Sequence, residues 1–180
     1  MKKVYLNTSS NLSMSFTKKK KVSFGNFYKK FPVIELPITL GSETHHDFSK
    51  NNDPLDPLEI EDFILPLEGE PDEFTEFIPC FSLPDTQGFF AVVYWKAGLM
   101  DYQYRLVTYK KGGEIISDQV IAGLFSNGEM IARSIATIDP YLTIHVVSGQ
   151  VRTDSQYYDP GESTAKEFEL FSDGFIGELD

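Results

Sequence analysis

Phe89-Phe90-Ala91-Val92-Val93-Tyr94-Trp95-Lys96-Ala97 decides how this chain is read. The run is apolar at both parities, rich in aromatic and β-branched side chains, and ended by Gly98. A strand that is apolar on both faces is a central strand covered from two sides. Working outward, residues 102–110 and 114–124 flank Lys111-Gly112-Gly113, which reads as a hairpin turn. Ser126-Asn127-Gly128, Asp139-Pro140 and Ser172-Asp173-Gly174 mark further turns. Between them lie apolar segments at 130–138, 141–147, 166–171 and 175–177. Seven strands spaced at roughly ten residues predict a mainly-β fold: an antiparallel meander curled as a half-barrel, sandwich or partial propeller.

Upstream the text is less regular. Residues 31–40 carry Pro32 and Pro37 among apolar residues, which suits an extended edge segment and excludes a helix. Asp56-Pro57 followed by Leu58-Glu59-Ile60 offers an N-cap, a proline at the first helical position and an acid in the first turn, so a short helix is expected before Pro66 ends it. A second helical turn is expected from Pro71-Asp72-Glu73-Phe74, stopping before Pro79. One or two short helices therefore accompany the meander.

Charge divides the chain. The first 34 residues hold eight of the sixteen Lys and Arg and no acid, so with a formal total of −11 the remainder stands at −19. We read residues 1–31 as a basic arm and 32–180 as a single acidic domain. Leu12-x-Met14-x-Phe16 and Val22-x-Phe24 alternate with period two, so the arm is expected to form a strand or two, with Lys18, Lys19, Lys20 and Lys21 as a solvated turn. Fifteen Phe and nine Tyr against one Trp and four Met suggest a core of flat side chains that fit a pleated surface.

A lone cysteine, Cys80, excludes an intrachain disulfide and a multi-cysteine metal site, and between Pro79 and Phe81 it reads as a small buried hydrophobe. With no run of about 20 apolar residues to cross a bilayer, and with Lys2-Lys3 leading into a polar stretch rather than a signal sequence, the cytoplasm is the expected compartment.

Tyr104-Arg105-Leu106-Val107-Thr108-Tyr109-Lys110-Lys111-Gly112-Gly113, then Ser134-Ile135-Ala136-Thr137-Ile138-Asp139-Pro140-Tyr141, then Lys166-Glu167-Phe168-Glu169-Leu170-Phe171-Ser172-Asp173-Gly174 resembles the C-terminal β-meander of small proteins from Bacteroidetes-type bacteria. The resemblance spans about residues 89–178 and rests on turn and strand signatures. It implies a bacterial source and the same meander, and it brings no chemistry with it. Many members of that group resemble exported lipoproteins with a cysteine behind a hydrophobic leader, a feature this sequence does not show.

The familiar catalytic and cofactor patterns are missing. His45-His46-Asp47 are adjacent residues in a polar run, which cannot easily face one zinc ion together. Asn51, Asp53, Asp56, Glu59 and Asp62 supply hard oxygens but lack the alternating ligands and glycine of a calcium loop. There is no Gly-x-Ser-x-Gly and no phosphate-cradling glycine loop, so no metal and no cofactor is expected. Lysines interleaved with Phe16, Phe24, Phe27 and Tyr28 resemble a single-strand nucleic-acid element, but the arm has no arginine and the body at −19 repels phosphate.

The acidic body carries the stronger message. Thirteen acids stand against Lys50 alone between Glu35 and Glu76, interspersed with apolar residues. Acids around apolar anchors steer and then hold a basic protein. The expectation is therefore a non-catalytic protein-binding module for a basic partner, in one version an immunity-type inhibitor. Its candidate binding residues are Glu68, Glu70, Asp72 and Glu73, with Phe74 and Phe77 as anchors. An accessory subunit docked through the arm is the alternative. A third possibility is an enzyme without a motif, with a pocket near Tyr94, Arg105, Arg133 or His145.

Overall fold

The structure, a computed structural model, describes residues 22–153 and 163–179. Its nine strands are β1 (Ile38–Leu40), β2 (Glu76–Ser82), β3 (Phe89–Ala97), β4 (Asp101–Lys110), β5 (Ile115–Ser126), β6 (Met130–Ile138), β7 (Thr143–Arg152), β8 (Thr164–Leu170) and β9 (Ile176–Leu179). Four short helices, α1 (Phe24–Tyr28), α2 (His45–Asn51), α3 (Pro57–Phe63) and α4 (Leu65–Glu68), all precede β2. Strands β2 to β9 follow one another as an antiparallel meander, with β1 added beside β6. The predicted mainly-β meander is the fold observed, and its end strands are not paired with each other. The run that led the reading is β3, paired on both sides and buried continuously from Ala91 to Trp95.

The sheet turns a corner at β5. This strand pairs with β4 along most of its length but with β6 only over residues 123–126. A bulge opposite Tyr104 and Arg105 inserts an extra residue, which increases twist and bends the strand. Where β5 departs, β1 takes its place against Ile138, Thr137 and Ala136 of β6. The two halves then pack on each other: Phe81, Phe89, Val93 and Leu106 from β2–β4 share one core with Ile138, Ile144, Phe168 and Ile176 from β6–β9. On the far side the β8–β9 turn reaches back, with Thr108 Oγ1 donating to the Gly174 carbonyl at 2.6 Å and the Ile176 amide donating to Ser117 Oγ at 3.2 Å.

The opposite face of β3 and β4 carries a second core. Val92, Tyr94, Val107 and Tyr109 are covered by Phe24, Phe27 and Phe31 from the α1 region and by Phe63 and Ile64 from the end of α3. Phe24 and Phe27, three apart, fall on one face of a helical turn, so the sheet face below them selects helix over the strand that Val22-x-Phe24 suggested. Phe24, Phe27, Phe63 and Tyr109 form a set of ring contacts with centroids 4.9 to 5.9 Å apart. Gly113 in the β4–β5 turn has φ +90°, and a Cβ there would lie 2.8 Å from both Phe24 and Phe63, so the turn is fitted against this cluster. Phe24, Phe27 and Phe31, at the end of the segment read as an arm, thus pack into this core. Lys18, Lys19, Lys20 and Lys21 lie outside the described residues.

Three local expectations change. Residues 73–74 form a turn and Glu76 opens β2, where a helical turn was expected. Ile78, Cys80 and Phe81 point into the core beside β3, and Pro79 is tolerated because β2 is an edge strand. Pro66 does not stop the helical region; it stands in the first turn of α4, where its missing N–H costs nothing. The polar run at His45 is α2, with the His45 ring stacked on Trp95 at 4.3 Å and 1°. Cys80 is 1% exposed, as a small core residue would be, and Trp95 is likewise core. Among the described residues no helix is long and apolar enough to cross a membrane.

Candidate functional site

Helix α4 delivers Glu68 onto the outer face of β3 and β4. Its carboxylate accepts from the Tyr94 hydroxyl at 2.6 Å and from Lys96 Nζ at 2.8 Å. Arg105 Nε lies 2.9 Å from the same oxygen that Tyr94 uses, an ion pair in which the N–H is not aimed at the acceptor. The Arg105 guanidinium also pairs with Asp118 of β5. Strand register explains the assembly. Tyr94 is the cross-strand partner of Arg105, and Lys96 is two residues along the same face.

The Glu68 side chain is 3% exposed. Burial alone would raise its pKa, but the hydrogen bonds from Lys96 and Tyr94 and the charge of Arg105 outweigh it and hold the carboxyl below the usual range. Burial, reinforced by Glu68, pushes the Tyr94 hydroxyl well above its ordinary value. Neither Glu68 nor Tyr94 titrates near neutral pH. The cluster acts as a clamp fastening α4 to the sheet.

The clamp supports a surface. Glu68, Glu70, Asp72 and Phe77 line a cleft of about 360 Å³ together with Lys96, Leu99, Met100 and Asp101. One wall is the loop that follows α4; the other is the β3–β4 hairpin, whose tip is Leu99-Met100. Leu99 is 69% exposed, Met100 50% and Phe74 54%. Large apolar side chains at a turn, rimmed by acids, suit an interaction surface.

The predicted binding residues separate into roles. Glu70, Glu73 and Phe74 are exposed. Asp72 Oδ1 caps its own loop, accepting from Thr75 Oγ1 at 2.7 Å and the Phe74 amide at 3.0 Å, which lowers its pKa. Phe77 is half-buried, edge-on to Tyr94. Glu68 alone leaves the free acidic surface, because its charge is neutralised within the clamp. Leu99, Met100 and Asp101 were missed by sequence reasoning, although two large apolar residues directly after Gly98 are themselves a signal. Of the dispersed residues considered for a pocket, Tyr94 and Arg105 share the clamp, whereas His145 sits on β7 between Asp139 at 3.4 Å and Glu167 at 3.0 Å. Arg133 lines a different cleft. Among the described residues no group of three or more His, Cys, Asp or Glu is placed to hold a metal ion.

No protein-family model matches the chain, and the searches of curated proteins and of solved structures return no match.

Proposed function

We propose that this chain is a non-catalytic protein-binding module that takes a basic partner at the end of the sheet where the β3–β4 hairpin meets the loop after α4. The observation that carries the reading is the pairing of exposed Leu99 and Met100 with Glu70, Asp72 and Asp101 around one cleft whose cation, Lys96, is already bound to Glu68. Burying an exposed Leu or Met side chain contributes about 1.5–3 kcal/mol, while the acids steer a basic surface into register. An immunity-type inhibitor of a basic protein is the version that best uses a body at −19. A reducing compartment such as the bacterial cytoplasm is supported by the single, buried cysteine.

The test compares the intact chain with Leu99→Ser/Met100→Ser and with Glu70→Lys/Glu73→Lys, leaving Asp72 to cap its loop. Each is immobilised and offered bacterial lysate at low and at high salt, and retained proteins are identified by mass spectrometry. The reading requires a basic protein that the intact chain keeps, that high salt releases, and that both variants lose. Retention unchanged by either variant removes the hairpin end as the site.

A further inference from the structure

A second cleft, of about 270 Å³, opens at the corner where β4 to β8 run side by side. Its floor is a register row: Gln103 pairs with Gly123, Gly123 with Ser134, Ser134 with Ser148, and Ser148 with Thr164. On β6 and β7 the row is the polar end of a core face, since Ala136 and Val146, the next pair along, are buried in the main apolar cluster. Gly123 has no choice of side chain, because a Cβ there would meet the Tyr102 carbonyl oxygen at 2.4 Å. Gln150 and Phe125 stand at the cleft's margin, and Phe125 is 57% exposed.

Among the described residues the side chains of Gln103, Ser134, Ser148, Gln150 and Thr164 have no hydrogen-bond partner. The main-chain groups of the row lie in the strand ladders, so recognition here works through side chains, not through strand addition to a free edge. Hydroxyls and primary amides each donate and accept without charge, and Asp101 and Arg133, which also line the cleft, add an acceptor and a donor whose charges are opposite in sign. Their complement is a neutral ligand whose own groups both donate and accept, with an apolar side to lie on an exposed ring. We propose that this cleft binds a neutral saccharide, a mono- or disaccharide or the end of a longer glycan, hydrogen-bonded across Gln103, Ser134, Ser148 and Thr164 and stacked on Phe125. The cleft's volume lies just below the roughly 300–1,000 Å³ of drug-sized sites, which fits a small sugar. Binding is weak, because each sugar hydroxyl replaces a water that already satisfied the same protein group.

The site shares Asp101 with the hairpin-end cleft, and the experiment keeps the two readings apart. The full chain labelled with nitrogen-15 is titrated, to tens of millimolar, with glucose, galactose, mannose, N-acetylglucosamine, maltose and cellobiose, with glycerol as the control. The expected result is saturable movement of the Gly123, Ser134 and Ser148 amide signals with at least one sugar and none with glycerol. Ser134→Ala/Ser148→Ala, which removes two hydroxyls while the amide spectrum reports an intact fold, weakens that sugar at least tenfold, and Leu99→Ser/Met100→Ser leaves it unchanged. If no sugar in the panel moves these signals, if glycerol moves them equally, or if the double alanine variant binds as before, the proposal is overturned.

Discussion

Tyr94 and Glu68, 26 residues apart in the chain, are joined by a 2.6 Å hydrogen bond that fixes where the helical segment ends and the loop leading to β2 begins. Removing the hydroxyl and removing the carboxylate charge have different consequences. Tyr94→Phe deletes one hydrogen bond and leaves Lys96 and Arg105 on Glu68, costing about 1.5–3 kcal/mol, the range for a bond to a charged group. Glu68→Gln leaves two cations facing a neutral amide; breaking a buried pair costs about 3–5 kcal/mol, and because Lys96 and Arg105 keep 21% and 17% exposure, the lower end is expected. Because the Glu68 pKa is depressed on folding, its stabilisation is complete above the unfolded-chain value of about 4.3 and is lost as pH falls through the lower folded value. Urea unfolding from neutral to acid pH therefore shows a steeper acid limb for the native chain than for Glu68→Gln. Parallel limbs would mean that folding does not lower the Glu68 pKa.

His145 behaves with the opposite sign. Glu167 first and Asp139 second hold its imidazolium, raising its pKa above the ordinary value. A raised folded pKa gives stability that is fully present below the unfolded value, about 6.5, and that disappears as pH rises through the folded one. The pairs are exposed, so the effect is small and salt-sensitive. Imidazole signals followed by NMR are expected to titrate above the free value, and Glu167→Gln to move the midpoint down more than Asp139→Asn. A midpoint that neither substitution moves would show that these contacts are not made in solution.

Gly123 and Gly112 make a matched pair of alanine substitutions. At Gly123 the added carbon would sit 2.4 Å from the Tyr102 carbonyl oxygen and 3.0 Å from Gln103 Cα, both backbone, so the β4–β5–β6 corner has to shift. Overpacking of this kind costs about 1–3 kcal/mol. At Gly112 nothing lies within 4 Å and φ is not left-handed. There alanine reduces the freedom of the unfolded chain and stabilises by up to about 1 kcal/mol. Denaturant midpoints moving in opposite directions are expected; equal shifts would place the corner elsewhere.

How far these features could be read in the residues depends on the range of the interaction that sets them. Strand β3 was legible because its apolar run is local, and the turns at Gly113, Gly128 and Gly174 because glycine announces them and each takes positive φ. Helix α1 was not, since Val22-x-Phe24 fits strand and helix alike until the face of Tyr94 and Tyr109 is there to receive Phe24 and Phe27. Strand β2 was hidden by Pro79 and by acids that resemble a helix start, and only its place beside β3 decides it. At the candidate site the acids were visible as composition. That Glu68 leaves the surface depends on Tyr94, Lys96 and Arg105, distant in sequence and brought together by register.

Asn52 guards the open edge of the sheet. Its side-chain amide donates to the Pro79 and Cys80 carbonyls at 2.8 and 2.6 Å, and Pro32 and Ile34 occupy the main-chain groups of Ser82. Unpaired strand edges invite association with other chains. Asn52→Ala frees two carbonyls on β2 and is expected to lower stability by about 1–3 kcal/mol and to raise the fraction of dimers and larger species in sedimentation velocity as concentration increases. A variant that loses stability but stays monomeric would show that α2, packed along β2, protects the edge without the amide.

Where an arm deletion is cut decides what it measures. Residues 22–31 contribute Phe24, Phe27 and Phe31 to the core, with Phe27 fully buried between Phe63 and Tyr109. Truncating one such ring, Phe27→Ala, costs about 3–5 kcal/mol, a large share of the roughly 5–15 kcal/mol that holds a domain folded. Deleting residues 1–31 is therefore expected to yield a chain with a poorly dispersed amide spectrum and no cooperative thermal transition. Deleting 1–21 removes the charge of Lys18, Lys19, Lys20 and Lys21 and leaves every described core residue in place. Its melting transition is expected to stay cooperative and within a few degrees of the intact chain. If the two deletions melt alike, the phenylalanines of α1 do not close the second core, and a partner lost with residues 1–31 could again be assigned to the arm.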